Sequence, residues 1–524
     1  MSRRKQFQPA KCQNNTSVAD AKHSTQMQST VPDDARHKEV SLFQPWLQFP
    51  IASGADIRSF ALISSDVPLP DDHCNNNRVL TIQTAQKHGG PRNDEAQFCL
   101  QNEDELLWLR SILRDNSSSF DQTPALADRA NCVLFQKGEG YLSVIYRVQV
   151  QWPSDKALGF PRSVVVKKPT QQKLLAALAQ LTESQTISPN VDHQTASSEP
   201  NLTFWVTLLH QGHNHECAAL ELFSRSRDVT RDCKVCVISG IPVPVKYYTQ
   251  ENAEGCLDGG IVMEDLSERA TLPLITHGLS LSLTEQIFLI LADLHAYCYC
   301  HPEWLTEGPF RQIEPLPFFN DPTEISKQTC IMSENYSTLW SKLNSCDVKK
   351  LSDLKAAEAY YRYDATRDYF PVLVHADLWA NNIMIAQQRN DDVDSQKLVA
   401  LIDWQMSFVG SPMYDITYML ATSVSVHNRR QYTDYLLELY HKSLSQRINA
   451  CNSATSGDKR RFLPGYKLFT LQQLRSLCHS FMKYGCFILL CQLPAMIETL
   501  NLDNDGKLVL ANRMVEYISD TVSA

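Results

Sequence analysis

The stretch Pro371-Val372-Leu373-Val374-His375-Ala376-Asp377-Leu378-Trp379-Ala380-Asn381-Asn382-Ile383-Met384 ends an apolar run on His-x-Asp and places an Asn five residues after the Asp. Further on, Leu398-Val399-Ala400-Leu401-Ile402 leads into Asp403-Trp404-Gln405. Two carboxylates and an amide beside apolar runs suit phosphoryl transfer, which asks a protein for positioning and charge neutralisation rather than covalent chemistry. One carboxylate must meet the nucleophile's proton, and Asp377 is the candidate. A second carboxylate and an amide oxygen must hold Mg²⁺ against the phosphates. Asp403 and Asn382 are the right types, because Mg²⁺ takes oxygen ligands and keeps several waters. Asp and Asn are also common turn and cap residues. The second apolar run, closing on Asp403, is what separates the chemical reading from that one.

The first half of the chain offers complementary parts. Lys137-Gly138-Glu139-Gly140-Tyr141-Leu142-Ser143 reads as a turn between two strands, whose glycines would let main chain approach phosphates closely. By itself a glycine hairpin is usually only a hairpin. Lys167, near the end of a strand, is a cation long enough to reach α- and β-phosphates, with Lys168 competing for the role. Glu216, within a helix, could pair with that lysine. Glycine turn, strand Lys, helix Glu, His-x-Asp-x-x-x-x-Asn and a second strand Asp follow the order of the protein-kinase-like set.

These residues need elements to hold them. Asn102 with Glu105 resembles a capping box, and Leu106, Leu109 and Leu113 recur at helical spacing. Strands are expected at 131–137, at 144–152 by strict alternation, at 163–168, 243–248 and 260–264. Residues 182–203 are polar and read as an inserted loop. One helix is expected at 204–224, and further apolar-periodic helices at 283–297, 415–426, 432–444 and 471–493. A sheet-rich first half followed by a helical second half predicts an α+β chain with two lobes.

Composition bounds the function. Lys and Arg total 49 against 58 Asp and Glu, a net charge of −9. That balance argues against a dedicated nucleic-acid binder, whose footprint is basic. Sixteen cysteines in 524 residues are too sparse for a disulfide scaffold. No signal-peptide core follows Met1-Ser2-Arg3-Arg4-Lys5, and the longest apolar run, at 486–497, contains Pro494 and is too short to span a bilayer. A cytoplasmic protein with reduced thiols is expected. Residues 1–40 lack Leu, Ile, Trp and Tyr and are rich in polar residues, so a disordered tail is expected there. The whole of 1–101 reads as a low-complexity extension.

The motifs together resemble the ecdysteroid kinase-like family, also called CHK kinase-like, related to choline kinases and aminoglycoside phosphotransferases. The resemblance rests on G-E-G-Y-L-S at 138–143, V-V-V-K-K-P at 164–169, N-H-E at 214–216, V-M-E-D-L at 262–266 and A-D-L-H-A at 292–296. V-H-A-D-L-W-A-N-N at 374–382 and I-D-W-Q at 402–405 are its specific part; Gly410-Ser411-Pro412 with Asp415, and Arg429-Arg430, also fit. It covers about residues 103–520. It implies a bilobal protein-kinase-like fold, with an N-terminal lobe at 102–265, a C-terminal helical lobe at 266–524, and ATP between them. It implies that Asp377 is the catalytic base, Asn382 and Asp403 are Mg²⁺ ligands, Lys167 binds phosphate and Glu216 is its ion-pair partner. Gly138, Gly140 and Ser143 would lie at the phosphates, and the backbone of Glu264, Asp265 and Leu266 at the adenine. Asp415 would have a structural role near the active loop.

Asp403-Trp404-Gln405 stands where protein kinases have D-F-G, and no A-P-E segment follows. A small-molecule hydroxyl is therefore the expected acceptor: a steroid-like alcohol, an amino-alcohol or a xenobiotic metabolite. The competing reading is a nucleotide-binding pseudokinase or scaffold without turnover. Cys233-Lys-Val-Cys236 lacks a second pair at zinc spacing. Cys298, Cys300 and His295 read as helix packing, and Trp379 and Gln405 either face the acceptor or pack.

Overall fold

A computed structural model describes residues 131–139, 143–152, 161–170, 202–225, 240–254, 256–301, 322–344, 369–387, 396–454 and 468–523, with a few single positions besides. The expected extension at 1–101, the capping box at Asn102, the insertion at 182–203, Gly140 and the Cys233/Cys236 pair lie outside these residues.

Five strands form an antiparallel sheet: β1 (Asn131–Glu139), β2 (Ser143–Gln151), β3 (Ser163–Pro169), β4 (Lys246–Gln250) and β5 (Gly260–Glu264), in the order β1-β2-β3-β5-β4. Helix α1 (Leu202–Arg225) is the one long helix among the described residues between them. Alternation sends successive side chains to opposite faces. Val148, Val150, Val164, Val166 and Val262 pack with Leu109 and Ile112 on one face. Ile261 packs with Leu208, Cys217 and Leu220 of α1 on the other. The sheet is thus covered on one face at β2, β3 and β5 and on the other at β5, at about 1.5–3 kcal/mol for each fully enclosed aliphatic side chain. The strand expected from Val243 begins only at Lys246. Pro242 and Pro244 have no N–H to give a ladder, which delays the start.

After the sheet, α2 (Leu281–Cys300) is N-capped by Ser280, whose Oγ accepts the Leu283 N–H at 3.1 Å. Helix α3 (Pro322–Asn335) follows. Five short strands then hold the loops of interest: β6 (Ala270–Thr271), β7 (Val372–Val374), β8 (Ile383–Ala386), β9 (Leu398–Leu401) and β10 (Phe408–Gly410). They pair as β6-β8-β9 and β10-β7.

Four helices complete the chain: α4 (Met413–Thr422), α5 (Val426–Ala454), α6 (Leu471–Thr499) and α7 (Asn504–Ser523). A single helix was expected across 415–426. Instead the chain leaves α4 at Ser423, whose carbonyl accepts the Leu279 N–H at 2.9 Å, and Val424 forms a parallel bridge with Leu279. Helix α7 is not foreseen from the periodicity. Its start is fixed by Asp503, whose carboxylate accepts the Gly506 N–H at 2.8 Å. Arg513 of α7 is 3% exposed and donates to the carbonyls of Thr422 (2.9 Å), Ile275 (2.9 Å) and Thr276 (3.2 Å). No helix among the described residues is long and apolar enough to cross a membrane.

Candidate active site

The register of β3 decides which lysine enters the site. Lys167 pairs with Ile261 and Val166 with Val262, so Lys167 shares the α1 face with Ile261. Lys168 points the other way. On that face Lys167 Nζ lies 2.5 Å from Glu216 Oε2 and 2.7 Å from Asp403 Oδ1, with Lys167 3% exposed. Burial alone would lower the ammonium's pKa, but the carboxylates of Asp403 and Glu216 raise it above its ordinary value.

The His-x-Asp loop follows β7. Ala376 has φ 66°, the left-handed region that costs a residue with a Cβ about 1–2 kcal/mol. Asp415 of α4 offsets this by accepting two main-chain bonds, from His375 N–H (2.8 Å) and Ala376 N–H (2.9 Å). Burial pushes the Asp415 carboxyl up to about 6, the two N–H groups pulling the other way. His375 Nε2 donates to the Ile402 carbonyl at 2.9 Å while Nδ1 accepts the Asp377 N–H at 3.3 Å, and burial lowers its pKa to about 4. A neutral imidazole with a fixed tautomer thus ties the two loops together.

Asn382 closes the single 3₁₀ turn after this loop, and its amide N–H₂ donates to the Asp377 carbonyl and to Asp377 Oδ2, both at 2.8 Å. The amide is thereby oriented with its N–H₂ toward Asp377 and its oxygen away from that carboxylate. Tyr418 of α4 donates to the other oxygen, Oδ1, at 3.2 Å. Burial and the nearby Asp403 push the Asp377 carboxyl up to about 7, against the bonds from Tyr418 and Asn382.

Asp403 also turns left-handed, with φ 66°, a conformation Asp tolerates better than most residues. The turn aims its carboxylate at Lys167 and drops Trp404 into the core. Trp404 is 1% exposed, with its ring 4.5 Å from His375 and 4.6 Å from Phe223 of α1. The main chain of Gln405 touches Gly212 of α1 so closely that a Cβ there would lie 3.2 Å from its carbonyl oxygen. The helix bearing Glu216 is therefore packed directly on the turn bearing Asp403.

The residues expected at the adenine are mostly engaged already. Glu264 accepts from Arg269 (2.8 and 3.1 Å) and from the Val245 N–H (3.2 Å). The Asp265 carboxylate accepts from Arg147 (2.5 Å), Ser163 (2.6 Å) and Ser267 (2.6 Å), and these bonds hold its pKa down against burial. Leu266 packs with Ala270, Met384 and Ala400 in a separate apolar cluster. What this segment offers a ligand is main chain and that apolar wall. Gly138 and Ser143 sit in the ladder opposite Ile145 and Pro169, so their described role is strand pairing.

The donor chemistry suits Mg²⁺: the Asn382 carbonyl oxygen and the Asp403 carboxylate are hard ligands, and two protein ligands are usual for this ion. Among the described residues, no group of three or more His, Cys, Asp or Glu is placed to form a fuller cage. Cys298, His295 and Arg429 are buried packing residues, and Arg430 is an exposed ion-pair residue. Cys298 accepts the Leu373 N–H at 3.4 Å, His295 faces the Tyr440 hydroxyl at 2.8 Å, and both arginines pair with Asp520. Sequence reasoning missed Tyr418, whose spacing of three from Asp415 on one helix face was the available signal.

The antiparallel sheet, the helix described against it and the two loops tied together by His375 make an α+β fold whose element order is the one expected of a protein-kinase-like chain. Residues 238–453 match the ecdysteroid kinase-like family model, so the resemblance read from the motifs stands. That stretch holds Asp377, Asn382, Asp403, Asp415 and Tyr418, and starts after Lys167 and Glu216. The chain is 24% identical over 331 residues to the uncharacterized oxidoreductase dhs-27 of Caenorhabditis elegans, which is 63% of this chain and 36% of that one. It thus spans about a third of that relative's length. Among solved structures, it is similar to a protein of Ralstonia eutropha described as an aminoglycoside phosphotransferase: 12% identity, 80% of this chain, 98% of the other, TM-score 0.38. It is also similar to choline kinase from Cryptosporidium parvum: 11% identity, 79% and 94% of the two chains, TM-score 0.38.

Proposed function

We propose that this chain is an ATP- and Mg²⁺-dependent phosphotransferase that phosphorylates a hydroxyl of a small molecule. The observation that carries the reading is the convergence of Lys167, paired with Glu216, on Asp403, beside an Asp377 whose carboxylate is held by Asn382. Bound Mg²⁺ would neutralise phosphate charge and orient the terminal phosphoryl group. Asn382 and Asp403 would hold it, and Lys167 would exchange its contact with Asp403 for phosphate oxygens. Asp377 would orient the acceptor hydroxyl and take its proton as that oxygen bonds to the terminal phosphorus and the bond to the leaving ADP oxygen breaks. The Leu266 cluster and the adjoining main chain would receive the adenine, at a lobe boundary near residue 265.

The oxidoreductase name of the worm relative finds little support in these residues. A dinucleotide fingerprint needs a glycine turn between a strand and a helix, whereas Gly138 lies in a pair of antiparallel strands. The absence of an A-P-E segment favours a small molecule over a protein acceptor. The test is ATP consumption by the purified chain against a library of hydroxylated small molecules, with a generic protein substrate included. Transfer to an alcohol supports the reading; transfer to the protein alone overturns the acceptor class.

A further inference from the structure

Helix α4 and its end hold the His-x-Asp loop at three places. Asp415 grips the main chain of His375 and Ala376 (2.8 and 2.9 Å), Tyr418 reaches Asp377 Oδ1 (3.2 Å), and Ser423 Oγ accepts the Ala380 N–H (2.8 Å). The helix itself is fixed. Ile416, Met419 and Leu420 are fully buried, Thr417 bonds back to the Met413 carbonyl at 2.8 Å, and the Tyr414 hydroxyl accepts from Tyr484 at 2.5 Å. Asp415 and Tyr418, three apart, lie on one face.

The bonds from Asn382 and Tyr418 to Asp377 fall on different oxygens. Asn382 holds Oδ2 and the Trp379 side chain also bonds to the carboxylate, but the terminal torsion is broad for Asp, so each further donor narrows it. A second donor on Oδ1 fixes the carboxylate plane and leaves the remaining lone pairs in set directions. Tyr418 is suited to fixing that plane, because a rigid helix carries it and its hydroxyl brings a donor without a charge. Resting on the reading of Asp377 as the base, we infer that Tyr418 is a positioning residue that sets the rotation of the Asp377 carboxylate toward the acceptor hydroxyl.

The test compares wild type, Tyr418→Phe, Asp377→Asn and the double variant. Each is assayed with Mg-ATP for phosphate release to water and for transfer to the alcohol library, with melting temperature and ATP affinity measured on the same preparations. Misplacing a reacting group by near 1 Å can cost about 10²-fold, so Tyr418→Phe is expected to lower kcat by about 10- to 100-fold. The KM for ATP and the melting temperature should hold. The double variant should be no slower than Asp377→Asn, since the hydroxyl acts only through that carboxylate. Wild-type kcat in Tyr418→Phe, with Asp377→Asn slow, overturns the inference and spares the reading beneath it. So does a double variant slowed by both factors, or a fall in melting temperature together with a raised KM for ATP. Wild-type turnover in Asp377→Asn, or a wild-type chain transferring phosphate to neither water nor any alcohol, overturns the reading and the inference together.

Discussion

At the scale of single residues the arrangement makes sharp demands. Asp377→Asn keeps the size of the side chain and removes the charge; its amide oxygen can still accept from Asn382, while its NH₂ faces the Tyr418 hydroxyl, which can turn to accept it. It should lower kcat by about 10²–10⁴-fold while ATP affinity and melting temperature stay near wild type. Loss of a cap instead would lower melting temperature and ATP binding together. Asp403→Ala should abolish the Mg²⁺ enhancement of nucleotide binding in a folded protein, read by titrating ATP with and without the ion. A preserved enhancement would place the metal elsewhere. Lys167→Met should impair turnover and Lys168→Met only slightly, because the register puts Lys167 alone on the α1 face; equal effects would refute that register. These residues were legible because polar types at fixed offsets beside apolar runs are rare by accident. Tyr418 was not, because an aromatic residue in an apolar helix reads as core. Only the folded chain shows its hydroxyl turned to Asp377.

Among the elements, Trp404 does the joining. Its indole lies between His375 of one loop and Phe223 of α1, so its packing couples the Asp403 turn to the helix that carries Glu216. Trp404→Ala should cost about 3–5 kcal/mol of stability and open a cavity at that junction. Trp404→Phe should recover much of it, and urea unfolding of both variants would show whether the loss follows the cavity. Most strands, α1 and α2 were legible from their periods to within a few residues, whereas α5 starts six residues before and ends ten after the expected 432–444, and α6 runs six past 493. The failures have physical causes. Two prolines delayed the start of the strand expected at 243, and a main-chain bond from Leu279 to Ser423 ended α4 early, a long-range contact that no local period records. Helix α7 was missed because Gly506 and a run of polar residues weaken its first turn, while Asp503 supplies the start.

For the molecule as a whole, buried titrating groups set opposed pH dependences. Burial is the first cause that lowers His213 and His215 to about 4 and His295 to about 3. In the unfolded chain a histidine titrates near 6.5, so between those values the unfolded state binds more protons. The histidine contribution is complete above about pH 6.5 and is lost as pH falls through the folded values. Asp415, raised to about 6, works the other way: its contribution is present below the ordinary Asp value, about 3.8, and is lost as pH rises through 6. His295 lies apart from the site, against Tyr440. His295→Gln should flatten the acid limb of stability against pH by about 1.4 kcal/mol per pH unit, one proton's worth. Urea unfolding between pH 4 and 7 reads this slope, and an unchanged slope would mean that the folded protein protonates His295 normally.

The guanidinium of Arg513 has a consequence for the gene. It meets the carbonyls of Thr422, at the end of the helix that grips the catalytic loop, and of Ile275 and Thr276, far back in the chain. A reading frame stopped before codon 513 would still translate every residue of the site. It would nevertheless leave those three carbonyls buried without their donor, at a cost of about 1–3 kcal/mol each. Late nonsense alleles should therefore behave as losses of function, although they spare every residue of the site.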